Sequence, residues 1–151
     1  MKTQNLLFIL SMLFLATACG NNTEALMEEE NTLASEVMEV HDEVMPKMAE
    51  VNRLSRELGN YYEANKETIS AELDGQIELV QRELEKADDG MMGWMANYQQ
   101  PGTLREEKTH EEIMAYLKEQ KELINEVAEQ INSSIEKATE LKKSMPQDRE
   151  E

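Results

Sequence analysis

The chain is short of most things that cross-link, stiffen or positively charge a small domain. One cysteine in 151 residues allows no internal disulfide, which excludes a small oxidised scaffold. Both phenylalanines, Phe8 and Phe14, lie in the first twenty residues, so any core further on must be Leu, Ile, Val, Met and Ala. Basic side chains are scarce, 15 against 32 acidic, for a formal net charge of −17. That surface repels phosphates and anionic headgroups, so neither nucleic acid nor a basic-patch membrane contact is expected. No apolar run is long: the longest, Leu6 to Ala16, falls well short of the ~20 residues a spanning helix needs.

What is present begins with that run. Lys2 precedes it, and Leu15-Ala16-Thr17-Ala18-Cys19-Gly20 leads from it into the lone cysteine. A charged start, a short apolar stretch and small residues make a secretion signal over residues 1–18. At the cysteine the stretch resembles the lipobox of bacterial lipoproteins. The resemblance implies cleavage before Cys19, acylation of Cys19, and small-residue positions filled by Ala16 and Ala18. Membrane attachment would then come from acyl chains, at ~0.8 kcal/mol per buried methylene. Cleavage would also remove Lys2 and make the chain more acidic still.

A chain this acidic invites a disordered reading, but its apolar periodicity argues against one. Asn21–Asn31 is polar and reads as part of a tether over residues 19–31. Leu33, Val37, Val40, Val44, Val51, Leu54 and Leu58 then follow helical spacing, with Lys47 in the one missing slot. Gly59 is the expected stop and Asn60 the next N-cap, with Glu63 as capping-box partner. Alternatively, Asn60–Thr68 forms an extended turn. The second run holds Ile69, Leu73, Ile77, Val80, Leu84, Ala87, Met91, Trp94 and Tyr98, and its unbroken 3-and-4 alternation predicts a helix continuing through Gly90 and Gly93. A break at Asp89-Gly90 is the alternative. Pro101-Gly102 ends the run, and Thr103 is placed to cap the third, Ile113 to Met145, which Pro146 stops. No stretch alternates with period two. The expectation is an all-α, antiparallel three-helix bundle over residues 32–145, with a frayed tail at 146–151. A coiled-coil oligomer, with one stripe packed on another copy, is the rival.

Nine of the eleven methionines follow the signal segment, and they cluster with both histidines. Met38, His41, Met45 and Met48 are spaced 3, 4, 3 along one helical strip, and His110 and Met114 repeat the four-residue pairing on the third run. Thioether and imidazole donors suit Cu(I), which makes His41, Met45, Met48, His110 and Met114 candidate soft-metal ligands. Such pairs also ligate haem, here without a covalent attachment motif. The plainer reading is that methionine fills an irregular core, with no cofactor. The expected turn lengths would separate His41 from His110 by about twelve residues, or ~18 Å, so two sites or none is the consistent expectation. Pro46, inside the first run, should kink it.

Catalytic patterns are lacking. His41-Asp42-Glu43 point in different directions on a helix, and His110-Glu111-x-x-Met114 has methionine where a zinc-protease helix needs its second histidine. Glu28-Glu29-Glu30 lacks calcium-loop spacing and reads as a solvated segment. VMEVHDEVMPKM (Val37–Met48) and MMGWM (Met91–Met95) resemble a group of small bacterial lipoproteins labelled after viral A-type inclusion protein, a resemblance that implies neither an activity nor site residues. The sequence expectation is therefore a lipid-anchored, non-enzymatic binding or structural module of the bacterial envelope. Its partners would be the membrane through Cys19 and a protein or second copy. Gly20, where some inner-membrane lipoproteins carry Asp, points to the outer membrane. Its rivals are a Cu(I)-binding lipoprotein and a coiled-coil spacer.

Overall fold

The structure, a computed structural model, describes Ala18–Pro146, with side chains from Thr23 onward. The signal segment through Thr17, the Cys19 side chain and the tail from Gln147 lie outside the described residues. The fold is all-α: among the described residues there is no strand, and no helix is long and apolar enough to cross a membrane. The helices are α1 (Ala18–Val44), α2 (Met48–Asn65), α3 (Ala71–Asn97), the single turn α4 (Pro101–Leu104) and α5 (His110–Ser144).

α1 begins earlier than its composition suggests, so Asn21–Asn31 is helical rather than a tether. Ala25, Leu26, Met27 and the glutamates favour helix intrinsically. Leu26, Glu30, Leu33 and Val37 also keep the 4-3-4 spacing of one inward face, with Glu30 in an otherwise apolar slot. The kink expected at Pro46 takes the form of a 3-10 turn, Met45–Lys47, closed by the Met48 N–H on the Met45 carbonyl. Proline has no N–H to give the preceding turn, and the tighter winding accommodates that loss. Met48, not Lys47, carries the core from Val44 to Val51, and Met48 is only 7 % exposed.

Gly59 does not stop α2, which continues to Asn65. No described glycine has positive φ, so none adopts the left-handed cap geometry. A Cβ at Gly59 would instead lie 3.4 Å from Gln81 Nε2, so the missing side chain makes room for α3. The turn comes at Lys66–Ile69, where the Asn65 carbonyl accepts the Thr68 and Ile69 N–H groups at 2.8 and 3.0 Å. Ser70 then caps α3 by accepting the Leu73 N–H at 3.2 Å. α3 is continuous through Gly90 and Gly93 as its periodicity predicts. Gln100, preceding Pro101, is extended, as a residue before proline should be. Thr103 lies inside α4, and the cap of α5 is Thr109. Its N–H donates to Glu112 Oε2 (2.8 Å) while its hydroxyl accepts from the Glu112 N–H (3.4 Å), a reciprocal capping box.

The chain divides into two compact units. One contains residues 37–98 and 119 onward, and its core is aliphatic: Val37, Val51, Leu54, Leu58, Ile77, Leu84, Met91, Ile124, Ile131 and their neighbours form one cluster. Side-chain pairs fix its register. Asn52 Nδ2 donates to Asp88 Oδ1 (3.2 Å) and Gln81 Nε2 to the Ser55 carbonyl (3.4 Å), so α2 and α3 run antiparallel. Lys137 Nζ donates to Glu83 Oε1 (2.8 Å), and a Cβ on Gly90 would sit 3.4 Å from Gln130 Oε1, so α3 and α5 are antiparallel too. Lys47–Asn132 and Lys142–Glu57 are both 85 residues apart, which makes the first and third segments parallel. The second unit contains residues up to Glu36 and Gln99–Lys118, with Ala34, Pro101, Leu104, Ile113 and Leu117 buried.

Two substitutions two residues apart test the α3 face. Ile77 is 2 % exposed and Leu79 is 52 % exposed. Ile77→Asp buries an unpaired charge and should cost about 4 kcal/mol or more, whereas Leu79→Asp should stay within about 0.5 kcal/mol by chemical denaturation. The capping box supplies a pH test. The Thr109 backbone N–H, then its hydroxyl, holds the Glu112 carboxyl below its usual value of 4.5. A depressed folded pKa means the stabilisation is complete above the unfolded value and is lost as pH falls through the folded one. The Thr109 amide proton resonance should therefore shift in acid below pH 4.5, and Glu112→Gln should abolish that titration.

Candidate functional site

In the larger unit, α1 and α3 bring together an aromatic stack. The His41 ring lies over Trp94 with centroids 5.6 Å apart and planes 30° apart, and Trp94 stacks on Tyr98 at 4.9 Å and 25°. Trp94 is 7 % exposed, and its Nε1 meets no acceptor among the described residues. Met91, one turn before Trp94, is fully buried, while Met95 and Met38 are partly buried against the same core. His41 Nδ1 lies 2.9 Å from Asp42 Oδ1. An ionised carboxylate only accepts, so Nδ1 donates and the Nε2 lone pair of the neutral ring is left for another partner.

The methionines near this stack divide by burial. Met48 packs in the apolar core and is only 7 % exposed. Met45, one turn after His41, is 36 % exposed and fills no core space. The adaptable-filler reading thus fits Met48 and Met91 but not Met45.

The smaller unit contains a polar cluster that the sequence misdescribes. Glu30, expected in a solvated run, is 3 % exposed. Arg105 Nε donates to its Oε2 at 2.5 Å, and His110 Nδ1 lies 3.0 Å from its Oε1. Arg105 Nη2 also donates to Asn31 Oδ1 (2.9 Å) and, at 3.4 Å, to the Met27 carbonyl. The other ring nitrogen of His110 is 3.6 Å from Glu29 Oε2. His110 is therefore engaged by carboxylates, which separates it from Met114, the partly buried thioether one turn along α5. Burying a carboxylate is costly unless it is paired and hydrogen-bonded; the Arg105 guanidinium supplies the opposite charge and His110 a second contact. The sequence signal for Glu30 was its place in the Leu26–Val37 stripe, whereas nothing in the spacing singled out Arg105.

Elsewhere the titratable groups form exposed pairs. Arg53 bridges Glu50 and Glu57, and Lys142 also pairs with Glu57. Arg53 draws the Glu50 carboxyl below its usual range, and Lys142, then Arg53, does the same for Glu57. Such exposed pairs contribute little net stability. A groove of about 390 Å³ between α3 and α5 is edged by Glu83, Lys86, Glu129 and Lys137, and one of about 540 Å³ between α2 and α3 by Tyr62, Glu63, Asp74 and Glu78. Among the described residues no three His, Cys, Asp or Glu side chains converge as a hard-metal site requires. Comparison with family models, curated proteins and solved structures finds no match for this chain.

The Glu30 cluster predicts a local effect. Glu30→Ala leaves Arg105 and His110 facing each other without their shared carboxylate. Breaking one partner out of a buried ion pair costs about 3–5 kcal/mol; Arg105 is a quarter exposed, which puts the expected loss near the lower figure. Amide hydrogen exchange should rise across residues 23–36 and 99–118.

Proposed function

We propose that the chain is a lipid-anchored, non-catalytic helical module of the bacterial envelope, held at the membrane by acylated Cys19 and offering its helical surface to a binding or structural role. The observation that carries this reading is the Leu15–Cys19 lipobox after a short apolar run. The acidic surface supports it, because 32 acidic side chains give anionic headgroups nothing to hold, and acyl chains then supply the attachment. The absence of a spanning helix among the described residues is compatible with attachment from one side. The long apolar stripes meet inside the chain's own core, which favours a single-chain module over a coiled-coil spacer. The Gly20 position favours the outer membrane.

The anchor is tested by fractionation. The wild-type chain should partition into detergent, Cys19→Ala should accumulate as uncut precursor, and a chain beginning at Asn21 should remain in the aqueous phase. Detergent partitioning of the Asn21 chain would refute the acyl anchor, and a mass that rises with concentration would favour the coiled-coil spacer.

A further inference from the structure

We infer that His41 and Met45 form a site for a soft monovalent cation of the Cu(I) class beside the buried Trp94, with Met38 as a further thioether on the same helical face. Three observations made on different groups converge on it. The first is the orientation of His41. Asp42 occupies Nδ1 at 2.9 Å and so fixes the tautomer that leaves Nε2 as a lone-pair donor, the arrangement by which a carboxylate positions a metal-ligating imidazole. The second is Met45. Its place one turn from His41 puts imidazole and thioether on one face, and its exposure leaves the sulfur without the packing role that Met48 and Met91 fill. The third is the ring beneath. Trp94 is the one tryptophan of the chain, and His41 stacks on it at 5.6 Å, so a cation held at the edge of His41 lies close enough to the indole for its fluorescence to report binding.

The donor chemistry selects the ion. Neutral thioethers and one imidazole form a soft, uncharged set, which suits Cu(I) and is poor for Mg²⁺ or Ca²⁺, whose ligands are oxygens. The nearest carboxylate, Asp42, already faces Nδ1. Asp42 is thus a positioning residue rather than a ligand. No electron transfer is involved; the ion binds and leaves as Cu(I). The site is independent of the acyl anchor, so neither proposal falls with the other.

The test uses the full chain in detergent with Cys19→Ser, which removes the only thiol. Cu(I) is delivered without oxygen, under ascorbate, from a coloured Cu(I) chelator. The chain should withdraw one equivalent from the chelator and quench Trp94 fluorescence with the same stoichiometry. His41→Gln should abolish both signals, and Met45→Leu, which keeps the volume and removes the sulfur, should weaken binding. Asp42→Ala should weaken it about 10–100-fold, the usual effect of losing a ligand-orienting partner. Met48→Leu should bind like the parent. Failure of the parent to compete with the chelator overturns the site, as does metal uptake that survives His41→Gln or moves without quenching Trp94. If His41→Gln loses its helical circular dichroism, Met45→Leu decides, since Leu at this exposed position fits the backbone. Undiminished affinity in that variant overturns the proposal.

Discussion

The larger unit depends on one constraint: three mainly aliphatic stripes must meet in a single core in which Trp94 is the one buried aromatic side chain among the described residues. Leu54, Leu58, Leu84, Ile124 and Ile131 are almost wholly buried, each contributing roughly 1.5–3 kcal/mol on burial. Aliphatic side chains fill space only if the backbones come close and the ridges interleave. Gly59 of α2 meets that need towards Gln81 of α3, and Gly90 of α3 meets it towards Val127 and Gln130 of α5. The 3-10 turn at Pro46 leaves the stripe unbroken, with Met48 buried between Val44 and Val51.

Periodicity made the helices legible, and a residue's local reputation misled where register decided its role. The Ile77–Tyr98 alternation outweighed two glycines, and α3 is indeed unbroken. At Gly59 the same evidence was discounted in favour of glycine as a terminator, although Tyr61 and Tyr62 beyond it still pack against the core. Thr103 and Thr109 each have a glutamate three residues on, Glu106 and Glu112; it is Thr109 that exchanges hydrogen bonds with its glutamate, and α5 begins there. Asn21–Asn31 was classed by polarity when its spacing already continued the stripe. Burial of Glu30 could not be read at all without Arg105, 75 residues away, because a charged residue in an apolar slot gains its meaning from its partner. The His41–Trp94 stack has the same character. Each residue sits on a visible helical strip, but only the α1–α3 register joins them.

The scarce cations are deployed as ties rather than as a field. Lys47 reaches Asn132, Lys137 reaches Glu83, Lys142 reaches Glu57, and Arg105 reaches Glu30 and Asn31. Each tie joins residues far apart in sequence, while Arg53, Lys66 and Arg82 neutralise glutamates on their own helices. What remains outward is overwhelmingly acidic, which favours solubility and disfavours close approach of like-charged surfaces.

The Glu30 cluster gives the two units different responses to heat. The larger unit is held chiefly by apolar burial, a driving force that weakens on cooling. The smaller one has a buried carboxylate clasped by a guanidinium and an imidazole, and the dehydration penalty of such ions shrinks as temperature rises. Warming therefore favours the ionic clasp relative to its apolar neighbour, and chilling withdraws support first from the aliphatic core.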